Sequence, residues 1–335
     1  MELVFKKTVS PDVLEELKLN GLDPLLEPDI IAEELKSHVE EVAGERLLGS
    51  LHQFIQGADS FLAVRNAFDP GALGESPETF FTSGTTDWYP GAYTTLAVLA
   101  AASLHPVSFH SENRGELIVN LTVIPGVGRK SDKSRKELRG HTDACSFPFA
   151  HEFDPEDGVS PSPDFVVLIG QKNPDKVPTC VAPLSKILKE MPEWAIEELK
   201  KEQFMIGTQG LFEIDFVRDD AAILTIHPDF GYQIRFSHSH VTSDPALHKA
   251  TSAIKKLEAA TQNCLRDVVV NPGDILLVNN RTALHGRRTV CDTKTKSGGN
   301  TRWLQRLYAN LESTKGIPVD EAKPFCLAPK SGWVG

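Results

Sequence analysis

The chain has five cysteines, Cys145, Cys180, Cys264, Cys291 and Cys326, and no two of them form a CxxC pair. An odd number without close spacing argues against a disulfide framework and against a thiolate zinc site. Reduced thiols of this kind fit the cytoplasm. Long apolar runs are missing as well. Met1–Lys7 lacks the apolar core of a secretory signal, and no stretch approaches the length of a membrane span, so no membrane partner is expected. Basic excess is absent: 35 Lys and Arg against 46 Asp and Glu leave a formal charge of −11. A nucleic-acid-binding surface would need a basic face to displace counterions from phosphates, so no nucleic-acid partner is expected, although net charge does not speak against a local basic pocket. Gly126-Val127-Gly128 lacks the third glycine and the following helix of a dinucleotide fingerprint, and it reads as a turn.

What is present is the composition of a folded protein, 40% hydrophobic and 24% charged. There is no internal repeat, low-complexity linker or domain boundary, so residues 1–335 are expected to form a single domain. Its first part, 1–115, reads as mostly helical and packed on the remainder. Pro28 suits a first helical turn, and Ile31, Leu35, Val39 and Val42 follow at helical spacing. A second helix is expected over Thr94–Leu104, closed by His105-Pro106.

From Glu116 the pattern changes to strands. Leu117–Ile124 is β-branched and ends at Pro125-Gly126. Further strands are expected over Phe165–Gly170, Pro178–Ala182, Phe212–Phe216, Ala221–Ile226, Tyr232–Phe236, Ile275–Asn279 and Trp303–Tyr308. Helical stretches over Leu184–Lys201 and from Asp244-Pro245 onward interrupt them. Many short strands without a βαβ rhythm indicate an α+β, mainly β chain built on an antiparallel sandwich or barrel. The core would span 116–311, with 312–335 as a C-terminal tail.

Three segments carry chemistry. In Gly140-His141-Thr142-Asp143, residues two apart on an extended strand share a side, so an imidazole and a carboxylate stand together as two legs of a facial metal site. In Pro272–Arg287, a PGD turn launches an apolar strand that ends in polar residues and His285, a third leg at a sheet rim. In Asn300–Tyr308, Arg302, Leu304 and Arg306 share one strand face. Two inward guanidiniums require anionic partners, and arginine can fork onto a carboxylate.

In their order and spacing these blocks (HTD, PGDILLVNNRTALHGR and TRWLQRLY) resemble the taurine dioxygenase and clavaminate synthase group of 2-oxoglutarate-dependent oxygenases, over about Glu116 to Leu311. The resemblance implies a double-stranded β-helix (jelly-roll) core with flanking helices. It implies Fe(II) held by His141, Asp143 and His285. The distal carboxylate of 2-oxoglutarate would be bound by Arg302 and by Thr179. Arg306 would meet the substrate or the cosubstrate's other end. Dioxygen, 2-oxoglutarate and a small molecule would react to give an oxidised product, succinate and CO2, most simply by hydroxylating a free amino acid or a similar metabolite. Asn120 and Arg235 are further substrate-side candidates. Glu112 and Asn113 could meet an amino-acid head group, with turn or solvent roles as the plainer reading.

The sequence departs from the group in two places. Its metal carboxylate is Asp, where amino-acid hydroxylases of the group often have Glu; a carboxylate there at all argues against a halogenase. The charged stretch Arg129–Arg139 reads as a lid or a solvated loop. Gln233–His240, similar to a stretch that holds a cationic tail in arginine-hydroxylating relatives, contains no acid, which suggests a neutral or anionic tail. Two other readings compete. His238, His240 and Asp244 have the HxHxxxD spacing of a cupin-type metalloenzyme, and a non-catalytic binding barrel would keep the fold without needing the triad.

Overall fold

A computed structural model describes residues 1–57, 59–82, 84–126, 131, 134–290 and 301–335, with the side chains of 45–47 set aside. Two sheets lie at its centre. The larger has eight strands in the order β1 (Glu2–Val4), β2 (Phe61–Arg65), β14 (Ile275–Asn279), β6 (Phe165–Lys172), β16 (Trp303–Leu311), β3 (Leu104–Phe109) and β17 (Cys326–Leu327), with β4 (Val119–Thr122) also pairing β16. Its pairings are antiparallel except β1 with β2 and β17 with β3. The smaller sheet is antiparallel, in the order β13 (Arg266–Val268), β7 (Thr179–Pro183), β15 (Ala283–Arg287) and β5 (Leu138–His141).

The strand sequences explain why these sheets lie inside. Every residue of β14 is buried, and so is β6 up to Gln171. An uninterrupted apolar run of this kind suits a strand covered on both faces. On β6, Val166 and Leu168 face a core shared with Val181 of β7 and Ala283 of β15. Phe165, Val167 and Ile169 face the opposite core, with residues of helices α2 (Pro28–Ile55) and α3 (Tyr89–Ala101). The smaller sheet turns Ala182 and Leu284 toward α4 (Leu184–Glu190), α5 (Glu193–Leu199) and α6 (His248–Cys264). The order of layers is therefore helices, large sheet, small sheet, helices.

Several expectations needed adjusting. Two strands of the first 115 residues, β1 and β2, enter the large sheet through β14, so this part does not simply pack on the core. His105-Pro106 does close a helix, but its residues already belong to β3. Phe212–Phe216 forms no strand; Phe212 and Asp215 make only isolated bridges, to Glu112 and Val334. Ala221–Ile226 is divided between β9 (Val217–Ala221) and β10 (Leu224–His227). The stretch Leu184–Lys201 breaks into α4 and α5 around Pro192, because proline removes a helix hydrogen bond.

Candidate metal centre

Strand pairing assembles the site. β15 lies antiparallel to β5 with His285 directly opposite His141, and the register slips at a bulge before Arg287 meets Leu138. Gly286 permits this close approach: a Cβ there would stand 2.2 Å from the Leu138 carbonyl oxygen. Asp143 follows β5 in a turn. The His141, Asp143 and His285 ligand-type atoms lie within 4.8 Å of one another. The imidazole rings are 4.6 Å apart, and each Nε2 faces the carboxylate, His141 at 3.4 Å and His285 at 3.6 Å. The Nδ1–H of His141 donates to the Arg139 carbonyl at 2.8 Å. That bond fixes the tautomer and leaves the Nε2 lone pair pointing inward, the usual arrangement behind a ligating histidine.

Burial alone would raise the Asp143 carboxyl, but the adjacent imidazoles of His141 and His285 and the nearby charge of Arg306 hold it well below the usual carboxylate range. His285 is pushed down by burial against the pull of Asp143. His141, the least buried of the three, is pulled down by its surroundings but raised overall by its contact with Asp143. Two imidazoles and a carboxylate converging in this way suit a divalent cation, and they leave the remaining positions of a six-coordinate ion open. The residues fit Fe(II).

Two guanidiniums of the TRWLQRLY block are buried in different states, and Arg306 is the one in contact with this centre. Arg306, on β16, donates from Nη2 to Glu112 Oε2 at 2.8 Å, stands 3.8 Å from Asp143 Oδ2 and lies 4.2 Å over the Tyr308 ring. Burial would lower it, yet Glu112, Tyr308 and Asp143 raise it overall. Burial in turn raises Glu112 against the pull of Arg306. Arg302, just before β16, is 4% exposed and has no acidic partner among the described residues. Burial, and then the neighbouring Arg287, push it down to about 9. Arg287 sits opposite Thr179 in the β15–β7 register, and the Thr179 hydroxyl is buried without a partner. A lone cation and a lone hydroxyl in one dry neighbourhood suit a carboxylate.

Not every residue singled out in the sequence reaches this centre. The Asn120 Oδ1 accepts from Trp303 Nε1 and Gln305 Nε2, and its Nδ2 donates to the Phe81 carbonyl, on the face of β16 opposite the arginines. Arg235 is buried against Glu152 and the Phe149 ring. His238 pairs with Glu258, His240 with Ser237, and Asp244 accepts from the Ala246 N–H in the turn before α6, which starts at His248 and not at the expected Asp244-Pro245; none of the three is grouped with metal-ligand geometry among the described residues. Part of Arg129–Arg139, namely 129, 130, 132 and 133, lies outside the described residues. Its last residues are held by Arg287 Nη2 on the Lys136 carbonyl and by Arg288 on Glu137. Conversely, Glu112 is not a solvent residue, being 3% exposed, and although its carbonyl closes a turn onto the Gly115 N–H, its carboxylate holds Arg306. Its sequence neighbourhood gives no sign of this, whereas Tyr308 was legible as the next residue on the arginine face.

No family model matches the chain. Among curated relatives, it is 21% identical over 241 residues to an L-asparagine oxygenase from Streptomyces coelicolor, covering 71% of this chain and 65% of the relative. It is 34% identical over 68 residues to an L-ornithine/L-arginine 3-hydroxylase from Catenulispora acidiphila, covering 20% and 19%. The matches thus span less than two-thirds of either relative. Among solved structures, the non-haem iron oxygenase OrfP with Fe, succinate and (3S)-hydroxy-L-Arg superposes with a TM-score of 0.76 at 18% identity, covering 98% of this chain and 100% of the other. The chain has the non-haem iron oxygenase fold. OrfP with Fe and α-ketoglutaric acid gives 0.75 at 17% identity, over 98% and 100%. The oxygenase fold and these relatives bear out the resemblance drawn from the three sequence blocks.

Proposed function

We propose that this protein is an Fe(II)- and 2-oxoglutarate-dependent dioxygenase that hydroxylates an unactivated C–H bond of a free amino acid or a small amino-acid-like metabolite, releasing succinate and CO2. The convergence of His141, Asp143 and His285 within 4.8 Å carries the proposal. We read the two facing sheets as a jelly-roll core and residues 1–335 as one catalytic unit. The absence of any membrane-length apolar helix among the described residues and the free thiols of Cys145, Cys180, Cys264 and Cys326 agree with a cytoplasmic protein.

His141, Asp143 and His285 would hold the iron. Bound iron with 2-oxoglutarate and dioxygen supplies the oxidising power for the C–H bond. The protein's own residues bind and orient. Arg302 and Thr179 would receive the distal carboxylate of 2-oxoglutarate, which gives Arg302 the anion it lacks. Arg306, clamped by Glu112 and stacked on Tyr308, holds a fixed positive charge beside Asp143 for a carboxylate of the substrate or the cosubstrate. Glu112 balances that charge and offers an acceptor to an ammonium group. Burial of all these groups keeps water from the reacting centre. Gln233–His240 contains no acid, which favours a neutral or anionic substrate tail. Relatives that act on asparagine and on arginine support the amino-acid class.

Anaerobic addition of Fe(II) and 2-oxoglutarate should give a weak visible band near ~500 nm, the mark of a chelated oxo acid on a facial-triad iron. His141→Ala should abolish it and His238→Ala should leave it; the reverse pattern would favour the cupin reading. A screen of free amino acids, scored by added oxygen mass and by stimulated succinate release, then identifies the substrate. No stimulation by any candidate would favour a binding barrel.

A further inference from the structure

The turn between β14 and β15 holds two asparagines with different tasks. Asn279 Oδ1 accepts from the N–H groups of Arg281 and Thr282, at 3.0 and 3.1 Å, and closes the turn. Asn280, 2% exposed, sends its carboxamide across to the backbone of Asp143. Its Oδ1 accepts from the Asp143 N–H at 2.9 Å, and its Nδ2 donates to the Asp143 carbonyl at 3.0 Å and to the Pro163 carbonyl at 3.0 Å. Both amide hydrogens are thereby used, and the Asn280 N–H is itself anchored on the Asp164 carbonyl at 2.8 Å.

A second carboxamide works from the other flank. Gln209 Nε2 donates to the Thr142 carbonyl at 2.9 Å, and its Oε1 accepts from the Cys145 N–H at 3.4 Å. Thr142 is fixed further by its N–H on the Phe236 carbonyl, 2.8 Å, and its Oγ1 accepting from the Phe236 N–H, 3.1 Å. Ala144, between these clamps, has a left-handed backbone (φ 53°) that a non-glycine residue keeps only where its surroundings impose it.

A single methylene separates the Asp143 carboxylate from its backbone, so the backbone decides where the oxygens stand. A glutamate arm would have one more torsion with which to adjust. The side chain that fixes that backbone rises from the same turn that leads into β15 and His285, so one buried amide joins two arms of the triad.

We propose that Asn280 is a positioning residue that sets the Asp143 carboxylate for a divalent cation, with Gln209 as its weaker counterpart. The inference rests on reading His141, Asp143 and His285 as the metal site. Titrating the full chain with Co(II) by calorimetry tests it, alongside melting curves with and without the ion. Asn280→Ala should weaken Co(II) binding about 10- to 100-fold, as loss of a group orienting a ligand does. It should also shrink the rise in melting temperature that Co(II) confers, which a purely structural role would leave intact. In an Asp143→Ala background, Asn280→Ala should cause no further loss of affinity. Wild-type affinity in a folded Asn280→Ala protein, or additive losses in that cycle, would overturn the assignment. If Asn280→Ala does not fold, Gln209→Ala, on a half-buried side chain, carries the test: a loss of about tenfold supports the pair of clamps and an unchanged affinity rejects it. Failure of the wild-type chain to bind Co(II) would instead remove the metal site itself.

Discussion

Arg302 and Arg306 lie on one face of the same stretch of chain, both buried, in opposite electrostatic states. Arg306 has Glu112 and Asp143 beside it and holds its proton more tightly than an ordinary guanidinium. Arg302 has no described acid within reach, and burial lowers it to about 9. The difference separates a charge already balanced within the protein from one that is not. On the proposed reading, Arg302 is the cation whose desolvation is offset only when an anion arrives, whereas the charge of Arg306 is held in place beforehand by Glu112.

That contrast breaks most sharply at Arg306. Arg306→Met should strand the buried Glu112 and lower stability by about 3–5 kcal/mol, measured by denaturant unfolding. Arg302→Met should leave ligand-free stability unchanged or raised, since it removes an unpaired buried charge. The same substitution should weaken 2-oxoglutarate binding by about 100-fold, or roughly 2.7 kcal/mol, by anaerobic titration. Should the two variants lose stability equally, the distinction between them fails. Metal binding should sharpen it through pH. Asp143 stays ionised far into acid, whereas His141 is raised above its ordinary 6.5, so protons compete with the metal at His141 first. In the metal-free chain, His141's contribution to stability is full below about 6.5 and is lost as pH rises through its raised folded value. The stabilisation conferred by Co(II) runs the other way, and it should shrink as pH falls from about 8 through 6.5. Melting curves with and without the ion across that range decide the sign. The smallest effect belongs to Thr179→Val, which should weaken 2-oxoglutarate by about 1 kcal/mol, the usual worth of one hydrogen bond, with stability held.

The three residues of the candidate site were legible as residue types at a spacing, but their local settings were not: β5 ends at His141 and leaves Asp143 in a turn, and His285 stands in the middle of β15, not at the end of the apolar strand before it. Arg302 and Arg306 followed from strand alternation. The buried strands β6 and β14 were legible as apolar runs, although a run alone does not say which residues face which layer. Short strands under weak pairing, β1 and β2, and the divided stretch Ala221–Ile226 were not, since their pairing partners lie far along the chain. For Asn120 and Arg235 the sequence showed polar groups that need partners, and the fold supplies these within the protein, Trp303 and Gln305 for one and Glu152 for the other.

By itself the sequence determined the kinds of group available and their spacing along the chain: two imidazoles, a short-armed carboxylate and two arginines two strand repeats apart. Only the tertiary structure decided which of them meet, through the His285–His141 register. It also decided which arginine is neutralised, because Glu112 reaches Arg306 from another strand's end. The physical reason is that local pattern sets which way a side chain points, while pairing between distant segments sets what it points at.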